Sequence, residues 1–511
     1  MSTLTNVVWL NSICLAGIGA YLLMRVFKKK QPAPYPPGPP GLPLVGNVLD
    51  MPQAKPWLTF MEWGQKYGDI SHVEILGQHT IVLNSVKTAM DMLDHKSMVY
   101  SDRPVLPMTD EFAGWKDTLL FLPYGDRFRQ YRKHLHRTIG SRAALDTYNL
   151  IEEIETHRFL KRVLTTPDQL QEHIRHTAGA IILRISYGYE VKESNDPFIG
   201  IAKRALDNFS NPNAFCDFLV EFLPFLAKVP EWLPGAGFKR LARESHEMAQ
   251  EMASAPYKFA MDQMAAGIAP ISCISTMFEG RTLSAEEDDV AKWSAASLYA
   301  GGSDTTVSAI HSFFLAMTLF PDVQKKAQAE IDAVVGPDRL PCLADRTSLP
   351  YIEALAKEVL RWSVVTPLGF PHGVSEDNIH DGYYIPKGSL IIANLWFMLN
   401  NPETYANPSQ FNPERFLTND GKQPEPEPRT ICFGFGRRIC PGLLLAEASI
   451  WLSAARSLAV FDVSKVVENG VEIPPEIDYS TGTISHPKPF KCSIKPRSAA
   501  STQLIQQDAR Y

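Results

Sequence analysis

The chain has 511 residues, 45% hydrophobic and 21% charged, which is ample apolar material for a large core and excludes a disordered or low-complexity polymer. Its net charge of −6 gives no support to nucleic-acid binding, which shows a strongly basic face. Seven cysteines, odd in number and scattered, form no visible disulfide framework, which suits a reducing compartment.

Residues 1–30 predict a membrane anchor with a basic stop. Val7 to Phe27 is largely apolar, interrupted by Asn11, Ser12 and Arg25, and about 20 helical residues span a bilayer core. Lys28-Lys29-Lys30 follows at once and places the rest of the chain on the cytosolic side. A cleaved signal peptide wants its positive charge before the apolar run, so a retained single-pass anchor is the better reading. Residues 31–45 are too rich in proline for a helix and predict a semi-rigid extended hinge.

Residues 46–495 read as one domain. A hairpin is expected over 70–84, with Gly77-Gln78 as its turn. From about 85 to 365 helical patterns dominate. Trp293 to Phe320 is a long apolar helix ended by Pro321, and an amphipathic helix runs from Pro321 to Val335. Another helix covers 351–362, and short strands lie around Asp381-Gly382. Glu425 to Pro428 reads as a surface loop, and Cys440-Pro441-Gly442 opens a last long helix to about Leu458. The polar tail, 496–511, predicts disorder. The fold class is mainly α with a small β portion.

Chemistry concentrates in a few segments. Gly301-Gly302-Ser303-Asp304-Thr305-Thr306 sits inside the long apolar helix, where each glycine costs about 1 kcal/mol relative to alanine. That cost points to close backbone approach by a ligand. Thr305 can bond back to the carbonyl four residues earlier and open a groove, with Asp304 placed to relay protons. A helix kink with a capped polar patch is the plainer alternative. Glu358 and Arg361 share a helix face, a pattern that is usually a solvated pair. Residues 433–442 read Phe-Gly-Phe-Gly-Arg-Arg-Ile-Cys-Pro-Gly. Glycines there allow a tight turn, and Arg438 two residues before Cys440 suits an acidic partner. A loop with a buried thiol is the bland reading. Cys432 also raises a disulfide or half a zinc site, although no second metal-ligand pair is present.

The decapeptide fits F-x-x-G-x-R-x-C-x-G and resembles the haem-binding loop of the cytochrome P-450 monooxygenases. The glycine-acid-threonine segment, Glu358-Val359-Leu360-Arg361 and Pro413-Glu414-Arg415-Phe416 match further motifs of that family, over roughly residues 35–495. The resemblance implies the cytochrome P-450 fold, preceded by one N-terminal transmembrane helix. It implies haem b (iron protoporphyrin IX) with Cys440 as axial ligand to the iron, Phe433 and Gly442 around the sulfur, and Arg438, Arg132 and His372 at the propionates. Two departures stand out: Phe128 where many members have Trp, and Gly373 where many have Arg. Gly301 and Gly302 would form the distal groove, with Asp304 and Thr305 as the catalytic acid–alcohol pair. Glu358, Arg361 and Arg415 would form a buried structural triad.

The implied activity is insertion of one oxygen atom from O2 into a lipophilic molecule, in fungal secondary metabolism of a terpenoid, polyketide or indole-derived compound. NADPH would act through NADPH–cytochrome P-450 reductase, with cytochrome b5 as a further electron donor. The enzyme would sit in the endoplasmic reticulum membrane with its catalytic domain cytosolic. Arg129, Lys133 and Arg137 would dock an acidic reductase or form a merely solvated basic face. Expected pocket residues are Phe112, Leu119, Ala296, Tyr299, Ala300, Val365, Leu368 and Thr483. Two rivals are a haem-thiolate isomerase or dehydratase that does not use O2, and a non-catalytic haem protein. Asp304-Thr305 argues against the first, and the Gly-Gly groove with an apolar pocket against the second.

Overall fold

The structure is a computed structural model that describes residues 31–106, 113–210, 220, 224–232, 236–418, 421 and 423–507. The expected anchor, residues 1–30, and the pocket candidate Phe112 lie outside them. The Pro-rich segment is extended, as its composition dictates, and is tied to the body. Pro34 and Pro37 carbonyls accept from the Tyr384 and His72 backbone N–H groups at 2.7 and 3.0 Å. Gly38 fits this contact because a Cβ there would sit 1.9 Å from the His72 carbonyl oxygen.

Helix α1 (Pro56–Tyr67) starts on a proline, which loses no helical hydrogen bond at that position. It is followed by the hairpin β1 (Ile70–Ile75) and β2 (Gln78–Leu83), paired antiparallel from Ile70 opposite Leu83 to Ile75 opposite Gln78. The turn residues are Leu76 and Gly77, both at positive φ, one position earlier than the sequence reading. Five long helices follow: α2 (Asp126–Ile139), α3 (Asn149–Thr165), α4 (Leu170–Tyr187), α5 (Pro197–Ser210) and α6 (Phe238–Ala265).

Helix α7 (Ala285–Leu319) crosses the whole body. Its start was hidden in the sequence because residues 285–292 are polar, but Ser284 and Glu287 form a reciprocal capping box there. Phe313, Phe314 and Leu315 are buried at 1% exposure or less, each worth roughly 1.5–3 kcal/mol of burial. Pro321 ends α7 and starts α8 (Pro321–Val334), and α9 (Pro350–Trp362) carries the Glu358–Arg361 pair.

Strands β3 (His372–Gly373), β4 (Asn378–His380), β5 (Tyr383–Ile385) and β6 (Leu390–Ala393) come next. β6 runs parallel to β2 and antiparallel to β3, which gives a four-stranded sheet in the order β1-β2-β6-β3. Asp381-Gly382, both at positive φ, turn β4 into β5 as expected. Helix α10 (Leu443–Val460) is long and apolar enough to cross a membrane, but 78% of it is buried inside the body, so it is a core helix. β7 (Phe461–Ser464), β8 (Val466–Glu468), β9 (Val471–Ile473) and β10 (Ser493–Pro496) close the fold, with β10 paired to β7.

The tail corrects the expectation of disorder. Ala499–Gln506 is a helix, α11, capped by the Ser498 side chain. Ile505 is fully buried and its carbonyl accepts from His157 Nε2 at 2.9 Å. One well-placed apolar side chain anchors a segment whose average composition is polar.

Candidate active site

Residues 433–442 form a loop that leads into α10. Gly434 and Gly436 sit at φ 78° and 56°, the left-handed region that favours glycine. At Gly436 a side chain is also excluded by space, since a Cβ would lie 2.2 Å from the Leu93 carbonyl oxygen. The loop closes by a hydrogen bond from Cys440 N to Phe433 O at 2.8 Å. Burial raises the Cys440 thiol above its ordinary value, against the pull of the Gly442 N–H and the Arg132 charge. A bound metal ion would hold this thiol as thiolate. Cys432 is a free thiol, as is Cys440, so the two form no disulfide.

Cys440 opens onto a cavity of 330 Å³ that separates it from α7. Phe433, Arg438, Gly442, Arg132 and His372 line this cavity on the Cys440 side, and Gly301, Gly302 and Thr305 line it from α7. Thr305 Oγ1 donates to the Gly301 carbonyl at 2.7 Å, as the motif predicts. The two glycines differ: nothing lies within 4 Å of a Cβ at Gly301, whereas one at Gly302 would meet Ile182 of α4 at 2.7 Å. Gly301 leaves the cavity open, and Gly302 lets α7 approach α4.

The arginines show how the cavity fits an acidic group. Arg132 Nη1 donates to Ile439 O at 2.6 Å, beside Cys440. Arg438 donates to Ser101 O at 2.8 Å and Leu122 O at 2.7 Å. A third, Arg103, escaped the sequence reading. It donates from Nε to Leu120 O at 2.7 Å, and from Nη1 to Phe370 O at 2.9 Å and Pro371 O at 2.6 Å. Burial lowers all three guanidinium pKa values, that of Arg438 to about 10. Among the described residues none of the three forms an ion pair with a carboxylate, so three half-buried cations on one cavity want anions. A macrocycle with two propionates supplies them.

Both departures from the family pattern have a local reason. A Cβ at Gly373 would sit 3.0 Å from the Arg103 carbonyl carbon, because the 102–104 backbone bridges to it. Arg103 thus brings a guanidinium to the cavity where residue 373 cannot. Phe128 lies under Arg438 as an aromatic platform. His372 Nδ1 lies 2.7 Å from the Tyr100 carbonyl, and burial with the Arg103 and Arg438 charges lowers its pKa to about 3. Neutral His372 that donates through Nδ1 presents only a lone pair at Nε2, so it donates to a propionate only when the propionate charge protonates it.

Asp304 does not line the cavity. It is 3% exposed and faces the other side of α7, with Oδ2 2.9 Å from His486 Nε2 and Oδ1 3.6 Å from Arg175 Nη1. Burial raises its pKa, but the hydrogen bond and charge of His486 and the charge of Arg175 outweigh this and hold it below the ordinary value.

Glu358, Arg361 and Arg415 are buried and form the expected network. Arg361 donates to both Glu358 oxygens at 2.7 and 2.9 Å, and Arg415 Nε reaches Glu358 at 3.1 Å. Glu425 adds a fourth member, 2.5 Å from Arg415 Nη1, which balances two cations with two anions. Its place in a Pro- and Glu-rich run made it read as surface. The cavity walls include the expected Leu119, Ala300, Val365 and Leu368, together with Trp115, Phe209, Phe370 and Ile484. Ala296, Tyr299 and Thr483 do not line it: Ala296 is packed in the core, and Tyr299 borders a separate small cavity.

The family model described as cytochrome P-450 matches residues 36–494. The chain belongs to the cytochrome P-450 family. It is 53% identical to cytochrome P-450 monooxygenase 208 of Postia placenta, with 95% of each chain covered. Against cytochrome P-450 monooxygenase claR of Ampulloclitocybe clavipes it is 47% identical, over 98% of this chain and 93% of that relative. The corresponding values for cytochrome P-450 monooxygenase ppsD of Aspergillus oryzae are 42%, 97% and 94%. A solved zebra fish cytochrome P-450 superposes with a TM-score of 0.70 at 22% identity, over 87% of this chain and all of that one, and shows the same fold. The protein is accordingly a haem-thiolate cytochrome P-450 monooxygenase that uses O2, served by a redox partner and acting on a lipophilic substrate.

Proposed function

We propose that the enzyme oxygenates a terpenoid, polyketide or indole-derived molecule in fungal secondary metabolism. The carrying observation is the apolar lining of the cavity shared by Cys440 and Thr305, to which Leu119, Phe209, Val365, Leu368, Phe370 and Ile484 contribute. Such a lining favours a lipophilic scaffold and excludes water from the reacting centre.

Cys440 would hold the haem iron, and Arg103, Arg132 and Arg438 would neutralise the propionates, with His372 as a further contact. Haem, once bound, supplies the oxygen-activating chemistry, aided by electron density from the thiolate. Thr305 orders the proton donors on the α7 side, and Asp304 carries protons toward it. The electrons come from NADPH through NADPH–cytochrome P-450 reductase, with cytochrome b5 as a second donor. Residues 1–30 anchor the enzyme in the endoplasmic reticulum membrane with its body in the cytosol. Val7 to Phe27 and the three following lysines support this placement.

The test is co-expression with a reductase in yeast, feeding of terpenoid, polyketide and indole scaffolds, and accurate-mass comparison with Cys440→Ala. A product that gains one oxygen only with Cys440 intact supports the reading and names the substrate class. A haem-loaded enzyme that leaves every scaffold unchanged counts against these three classes.

A further inference from the structure

Asp304, like Ser303, is a member of the α7 motif that the fold turns away from the cavity, and what Asp304 turns toward is built. His486 lies between β9 and β10, on a stretch pinned at several points. His486 N donates to Ser480 Oγ at 2.9 Å, and Ser480 N donates to His486 O at 2.8 Å. Its neighbour Ser485 accepts at its carbonyl from Ser308 Oγ of α7 at 2.5 Å, and its N–H donates to Val365 O at 2.8 Å. Ile484, next along, lines the substrate cavity. The same short stretch therefore touches substrate space, α7 and the Asp304 carboxylate.

The pairing is specific. His486 is 16% exposed at its side chain and Asp304 only 4%, so the imidazole is the more accessible partner of the buried carboxylate. Asp304 Oδ1 has no hydrogen-bond partner among the described residues; Arg175 faces it at 3.6 Å, too long for a hydrogen bond. Among the described residues His486 Nε2 is the one hydrogen-bond partner of Oδ2. The other charged or titratable groups that face this pair are few. Arg175 comes from α4 and also reaches exposed Asp207 at 3.4 Å. His311 comes from α7, stacked 4.6 Å from Phe490, and burial with the His486 and Arg175 charges lowers its pKa to about 4, so it stays neutral. Lys488, beyond His486, is engaged by Asp478.

We propose that His486 is a positioning residue for oxygen activation: its grip on Oδ2, opposite Arg175, fixes the aim and charge of Asp304, and proton delivery to the cavity runs through this pair. The proposal rests on the reading of Asp304 as a proton carrier given above. With His486 removed, Asp304 keeps only the distant Arg175, and burial then disfavours its charged form.

The experiment uses the haem-loaded enzyme with reductase and no added substrate. It measures NADPH oxidised, O2 consumed and peroxide released for the wild type, His486→Ala, His486→Gln and Asp304→Asn. His486→Ala is expected to raise the peroxide share of the O2 consumed several-fold, toward the value for Asp304→Asn. His486→Gln, whose amide can also donate to Oδ2, is expected to restore most of the wild-type partition. The second readout is thermal unfolding of the same holoproteins between pH 4 and 7, with the His486→Ala/Asp304→Asn double variant added. Strictly additive effects would overturn the pairing. If Asp304→Asn changes the partition and His486→Ala does not, the inference falls while the proton-carrier reading stands. If Asp304→Asn itself changes nothing, that reading falls, and the inference with it.

Discussion

Arg438 lies over the face of Phe128, its guanidinium carbon 4.1 Å from the ring centroid, and both residues line the cavity onto which Cys440 opens. The residue that breaks the family pattern therefore has a function of its own. A phenyl ring donates no hydrogen bond, but its face attracts a desolvated cation by about 2 kcal/mol. It thereby holds Arg438 in place although burial lowers the guanidinium pKa. Phe128→Ala is expected to release Arg438 and weaken haem retention by roughly tenfold, with Phe128→Trp close to the wild type. Haem-loss rates checked by absorbance decide it; equal rates for all three proteins would refute the platform role.

The Glu358 network gives a stability prediction. Glu358 and Arg361 are fully buried and Arg415 is 2% exposed at its side chain. Glu358→Gln strands the buried Arg361 and leaves Arg415 with Glu425 alone, and is expected to cost roughly 3–5 kcal/mol. Glu425, 12% exposed at its side chain, holds only Arg415 of the two. Glu425→Gln should cost clearly less, yet more than the ~1 kcal/mol of an ordinary surface pair. Urea unfolding of the holoproteins measures both, and a neutral Glu425→Gln would remove it from the network.

These two sites show what the sequence makes legible. The Cys440 loop, the α7 segment and the Glu358 triad are read from motifs because their geometry is local: a tight turn, one helical step, or a helix face. Arg103, Glu425 and His486 belong to the same sites but arrive from distant loops, and nothing in their neighbours marks them. Arg103 sits in Asp102-Arg103-Pro104, where the proline and the bridge from Asp102 to Gly373 set the backbone path. Only tertiary packing shows that this path excludes a side chain at 373 and delivers a guanidinium in its place. Asp304 was legible as a motif member, but its direction was not. Helix periodicity fixes the face of a residue, while the partners on that face come from α4 and the β9–β10 connection.

Glu152 predicts a pH dependence. It lies on α3 at 1% exposure and accepts from Ser449 of α10 at 3.1 Å. Burial raises its pKa to about 8, against the weaker lowering effects of the Ser449 hydrogen bond and the Arg346 charge. An unfolded glutamate releases its proton near ~4.3. The folded protein thus keeps a proton that the unfolded chain has lost. Stability from this group is complete below about pH 4 and declines as pH rises, until the folded group ionises near 8. Glu152→Gln should flatten the fall in melting temperature between these limits. A slope unchanged in the variant would show that Glu152 is not its source.

Helix α11 supplies a last prediction, because its sequence predicts disorder and its structure is an anchored helix. Ile505 is fully buried, and the His157 side chain, itself 8% exposed, donates to its carbonyl. Burial lowers the His157 pKa, so the imidazole is neutral at pH 7 and its one N–H is committed to this contact. Ile505→Ala deletes apolar volume from the seam that the tail shares with α3 and α10, and should cost about 2–5 kcal/mol if the seam cannot collapse. Truncation after Arg497 should cost at least as much, since it also strands the buried His157 donor. Ile505→Val should be mild, near ~1 kcal/mol. Chemical unfolding of the three variants tests the order. If truncation is neutral, α11 is an ornament on the surface; if it matches or exceeds Ile505→Ala, the tail is part of the fold that holds α10, and with it the Cys440 loop, in place.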